Sequence, residues 1–146
     1  MRDGCQTMRL KTGIAFQAVT DNTPAVSAIV DTLGWAYVVA DITTGAIADT
    51  DATFTLLIED GNDSGLSDNA AVADQYLVSQ TDGIAPEVAA SFQFDSDNQV
   101  RKIEVLSPKR YLRATITPAN NTGSALLGLV WRLGAPHHAT VTQPAS

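Results

Sequence analysis

Apolar positions in this chain recur in short alternating stretches, each closed by Gly, Pro, Asn or Asp. In 52–59, Phe54, Leu56 and Ile58 share one side of an extended chain while Thr53, Thr55 and Leu57 take the other. In 99–106, Val100, Lys102 and Glu104 alternate with Arg101, Ile103 and Val105. In 35–42 the alternation fails: Trp35, Tyr37 and Val39 oppose Ala36, Val38 and Ala40, so both faces are apolar. A strand of that kind lies inside a sandwich or under a partner. Similar stretches predict strands over 13–19, 26–30, 75–79, 88–94, 110–118 and 124–133. The one predicted helical turn is 67–72, where Ser67 or Asp68 can cap a short Ala-rich segment. Eight to nine strands at ten-residue spacing, with no helices between them, predict an all-β antiparallel sandwich or jelly roll. Ser107-Pro108-Lys109 and Asn120-Asn121-Thr122-Gly123 read as the turns joining the last three strands. Residues 1–12 and 134–146 lack a strand or helix period and are expected to be an N-terminal arm and a C-terminal tail around a 13–133 sandwich.

Charge adds a second pattern. Between Thr12 and Val100 there are fourteen Asp and Glu and no Lys or Arg, whereas 101–146 holds six basic residues against Glu104 alone. Segregation on this scale predicts surfaces that meet different neighbours. The net charge of −7 argues against nucleic acid as a partner. No apolar run is long enough to cross a bilayer, and the start Met1-Arg2-Asp3-Gly4 has no apolar signal core, so neither membrane nor export is expected.

Candidate chemistry is sparse. Asp60, Asn62, Ser64 and Gly65 fit the first, third, fifth and sixth positions of a calcium loop, but the twelfth is Ala71 instead of a bidentate Glu. His137 and His138 are adjacent and point apart on an extended chain, which suits no shared metal. Cys5, the single cysteine, precedes the expected body. There is no nucleophile elbow and no Gly-rich phosphate loop, so neither an enzyme nor a cofactor is expected.

The run Val26-Ser27-Ala28-Ile29-Val30-Asp31-Thr32-Leu33-Gly34-Trp35 resembles the small head proteins of tailed bacteriophages. So do 52–61, the Ser67-Asp68 segment, 109–118 and the closing Leu133-Gly134-Ala135-Pro136-His137. The resemblance implies a capsid decoration, or cement, protein with a jelly-roll fold. Such a protein binds the major capsid protein on the head exterior, having been made in the host cytoplasm, and bridges neighbouring capsomers. From the residues themselves, Arg101, Lys102, Lys109, Arg110 and Arg113 are expected to meet acidic capsid patches or the acidic face of an oligomeric neighbour, and Trp35 and Tyr37 to mediate self-association as a dimer or trimer. The competing expectation is a carbohydrate-binding or adhesin module on a virion surface, with Trp35, Tyr37, Tyr76, Tyr111 and Trp131 as the aromatic platform.

Overall fold

The computed structural model describes residues 4–79 and 81–137. After a single helical turn, α1 (Gly4–Thr7), the long strands are β1 (Met8–Val19), β4 (Trp35–Ile47), β5 (Thr53–Gly61), β9 (Val100–Val105), β10 (Tyr111–Ala119) and β11 (Ala125–Pro136). Two-residue strands complete the sheets: β2 (Ala25–Val26), β3 (Val30–Asp31), β6 (Ala70–Ala71), β7 (Leu77–Val78) and β8 (Phe92–Gln93). One sheet runs β1-β11-β4-β9-β7 and the other β2-β10-β5-β6, with β3 also on β10 and β8 also on β5. All pairings are antiparallel. The chain passes repeatedly between the sheets, and the last strand lies beside the first, which is the jelly-roll order anticipated from the sequence.

Alternation places the core. Phe54, Leu56 and Ile58 of β5, Leu112, Ala114 and Ile116 of β10, and Leu127, Leu129, Trp131 and Leu133 of β11 are buried between the sheets. Phe54 and Phe92 stack with centroids 4.8 Å apart. At Gly13 a Cβ would lie 2.4 Å from Leu129 Cδ2 and 2.9 Å from Trp131 Nε1, so the chain crosses there only because glycine has no side chain.

Four expectations need correction. β1 begins at Met8, because Met8–Thr12 pair with Val130–Gly134, so much of the expected N-terminal arm is edge strand. β11 likewise takes in Gly134–Pro136, and 138–146 of the expected tail lie outside the described residues. The predicted strand 88–94 is instead helix α2 (Pro86–Ala90) followed by β8, with Pro86 at the first turn where its missing N–H costs nothing. The predicted turn of helix at 67–72 is a non-helical turn leading into β6.

Helix α2 occupies a place where a strand would otherwise sit. β5 is paired by β6 near one end and β8 near the other. Between them, the Leu56 N–H donates to Ser91 Oγ at 3.0 Å and the Ile58 N–H donates to Glu87 Oε1. Side chains thus close an edge that would otherwise template aggregation. Burial raises the Glu87 carboxyl above its usual range, outweighing the Ile58 N–H that favours the ionised form. The folded pKa is raised, so the group's stabilising contribution is fully present below its unfolded value and is lost as pH rises through the folded one. Glu87→Gln keeps an acceptor for Ile58 and removes the buried charge. Thermal melts are therefore expected to show E87Q at least as stable as wild type at pH 7, with its advantage gone near pH 4. A variant clearly less stable at pH 7 would contradict this account.

Candidate functional site

The segregated charges meet inside the molecule. Antiparallel register sets Arg113 of β10 opposite Glu59 of β5, and the guanidinium donates to Glu59 Oε2 at 2.7 and 3.0 Å. Register also brings Tyr111 beside Asp31, so the adjacent Arg110 holds both Asp31 oxygens at 2.8 and 2.7 Å while lying 5.0 Å over the Tyr111 ring. That guanidinium holds the Asp31 carboxyl below the usual range. Lys109 Nζ reaches Asp60 at 2.8 Å. Arg132 on β11 binds both oxygens of Asp41 at 2.8 and 3.0 Å.

Arg101 behaves differently. Its guanidinium donates to the carbonyls of Ala89 and Ser91, to Ser96 Oγ and to Gln99 Oε1, tying α2 and the β8–β9 turn to β9. Of the five basic residues expected to contact a partner, Lys109, Arg110 and Arg113 are therefore held by acids of this chain, and Arg101 is a structural clamp. Lys102 alone of the five stands exposed on the outer face of the first sheet, without an ion pair among the described residues.

The calcium-loop candidate does not converge. Asp60 lies within β5, only 4% exposed, and its carboxylate takes Lys109 and the Ser107 hydroxyl. The loop that follows is capped from within. Asp68 accepts the Asn62 and Asp63 N–H groups, Asp63 accepts those of Gly65 and Ser67, and these bonds lower both carboxyls. Asn62 and Ser64 are exposed beside it, and among the described residues no three His, Cys, Asp or Glu gather around a common point. His137 is exposed at the end of β11, and His138 lies outside the described residues.

The aromatic candidates separate as well. Trp131 is 1% exposed in the core, and Trp35 and Tyr76 pack against it. Tyr111 sits under Arg110 on the second sheet. Only Tyr37 occupies the outer face of the first sheet, set so close over Gly134 that a Cβ there would lie 2.1 Å from Tyr37 Cζ. The five rings do not form one platform.

That outer face carries the second apolar side of β4. Val39 is buried, 6% exposed, yet it is absent from the core cluster that takes Val38 and Ala40 on the opposite side. It floors a shallow groove of about 450 Å³ walled by Tyr37, Val78, Lys102, Glu104 and Arg132. Around it Leu10, Phe16, Val78, Val100 and Val130 are exposed. Sequence reasoning singled out β4 but missed these neighbours. The signal that would have found them is the phase of alternation in β9 and β11, which puts Val100 and Val130 on the side away from Ile103 and Trp131.

No protein-family model matches the chain, and no curated protein matches it. Solved structures do. The PBSX exported protein XepA is similar over 94% of this chain with a TM-score of 0.56 and 13% identity. This chain spans 41% of that protein's length. A GH115 4-O-methyl-alpha-glucuronidase (TM-score 0.40, 14% identity, 88% of this chain and 17% of that one) and the latent PorU of Porphyromonas gingivalis (0.43, 8%, 90% and 13%) are more distant. The likeness to XepA bears on the architecture alone, an all-β sandwich of two antiparallel sheets.

Proposed function

We propose that this chain is a structural protein of a phage particle that binds the outer surface of the assembled head and stabilises it by bridging neighbouring capsomers. The observation that carries the reading is the fold shared with the PBSX exported protein XepA along nearly the whole chain. The sequence resemblance to head decoration proteins points the same way. A binder of this kind needs a rigid body and exposed apolar and polar surface, with no chemistry. Anything that binds the assembled shell and not its free subunits stabilises the shell by mass action. The sandwich supplies rigidity through its cross-strand ion pairs and packed core, and its sheet faces supply the surface.

The test is co-sedimentation with assembled heads of its phage and with unassembled capsid protein. Expected is saturable binding to heads only, with a higher melting temperature for the decorated particle. Binding to neither, or equally to both, would remove the reading. Variants at Lys109 or Arg110 need a fold control in this assay, since each releases a carboxylate of the chain itself.

A further inference from the structure

We infer that the outer face of the β1-β11-β4-β9-β7 sheet is the interface for a second copy of this chain, packed about a twofold axis parallel to β4. The argument starts from register. Val39 of β4 lies opposite Arg132 of β11 on one side and Glu104 of β9 on the other. Arg132 in turn lies opposite Leu10 of β1, and Glu104 opposite Val78 of β7. One row across five strands therefore reads Leu10, Arg132, Val39, Glu104, Val78, with apolar ends and centre and opposite charges between. Its left and right halves are equivalent in shape and opposite in charge.

A rotation about β4 keeps each residue at its own height and exchanges β11 with β9 and β1 with β7. Arg132 then meets Glu104 of the partner subunit, Leu10 meets Val78 of the partner subunit, and the two Val39 side chains meet on the axis. An isologous contact must be self-complementary in this way. The neighbouring rows agree. Thr43 is flanked by Gly128 and Val100, and Phe16 lies over Gly128, so the rotation sets Val100, 69% exposed, against the exposed Phe16 of the partner subunit. Lys102 of one subunit lies over Val130 of the partner subunit, where its stem can cover apolar surface and its ammonium can approach the Asp41 carboxylates along the axis. Each Asp41 is already held by its own Arg132, which limits repulsion across the axis.

Size also fits. β1, β11 and β4 run twelve to thirteen residues while β9 has six and β7 two, so at the usual spacing and rise the face covers roughly 700 Å², a little under the roughly 800 Å² per partner of a stable interface. Aligned face-to-face packing of sheets is an ordinary geometry. This contact is independent of what the dimer docks onto.

Leu10 and Val78 occupy opposite edges of one sheet, roughly 19 Å apart, whereas across two packed sheets facing positions lie roughly 10 Å apart. In a Cys5→Ser background, the double variant Leu10→Cys, Val78→Cys is expected to form dimers linked by a short bis-maleimide, which spans packed sheets but not the width of one sheet, whereas each single variant stays uncrosslinked. Sedimentation of the wild-type protein at micromolar concentration is expected to show a dimer. Glu104→Arg, which sets two cations together, should weaken it by about tenfold or more. Both cysteine sites are well exposed and circular dichroism checks that every variant is folded. A wild-type monomer, a dimer that the double variant fails to link, linkage by either single variant, or an unchanged E104R dimer would each overturn the proposal.

Discussion

Replacing Trp131 with alanine is expected to remove about 3–5 kcal/mol of folding stability, the usual cost of emptying an aromatic site in a packed core. The ring is 1% exposed on the innermost face of β11, and it rests against the bare Cα of Gly13 on β1. The strand carrying it has β1 on one side and β4 on the other, so a cavity there loosens the centre of the first sheet. Against a total of about 5–15 kcal/mol for a domain, such a loss leaves little margin. Denaturant titration should show a lower midpoint with an unchanged slope. Trp131→Phe should cost much less, because the buried indole N–H has no acceptor among the described residues and its removal forfeits no hydrogen bond. If the alanine variant lost under about 1 kcal/mol, the packing described at Gly13 would be wrong.

Arg101→Met is the second large effect. The aliphatic stem is retained while the guanidinium's bonds to the Ala89 and Ser91 carbonyls, Ser96 and Gln99 are lost. Hydrogen bonds from a charged donor contribute about 1.5–3 kcal/mol each, and at least one such loss is expected globally. The local consequence is more telling. The carbonyls belong to the segment whose Ser91 and Glu87 side chains accept the Leu56 and Ile58 N–H groups. Hydrogen exchange at those two amides should accelerate more than at Ala114 or Ile116 on the neighbouring β10. Uniform acceleration would mean that Arg101 acts on the whole fold and not through α2.

The regular strands were legible because period-2 alternation is a direct image of a sheet with one buried face, as in β5 and β10. Where burial does not alternate, the image fails. The start of β1 reads as an arm since Arg9, Lys11 and Thr12 are polar, yet an edge strand tolerates polar side chains on both sides and needs only backbone pairing to β11. Helix α2 was hidden because five residues are too few to show a helical period, although Pro86 and Glu87 mark its start. The ion pairs were hidden for a different reason. Glu59 and Arg113 are 54 residues apart, and only the register of β5 against β10 makes them neighbours. A lopsided distribution along the chain is partly offset in space, where Asp31, Asp41, Glu59 and Asp60 each meet a base. The doubled apolar character of β4 was visible from the start; the row that completes it required five strands to be aligned.

The order of strands also constrains how the molecule comes to exist. β10 separates β2 from β5, and β11 separates β1 from β4, so each sheet is held together by a strand from the last quarter of the chain. The same segment delivers Lys109, Arg110, Arg113 and Arg132, the counter-charges of a long acidic stretch. During synthesis at about 5–20 residues per second, the first hundred residues therefore emerge self-repelling and without the partners of their apolar strands. Such non-local topology folds slowly. Both sheets are completed only once β10 and β11 have emerged, and a ribosome that stops before them releases a chain in which β1 and β2 have no strand to join them to β4 and β5.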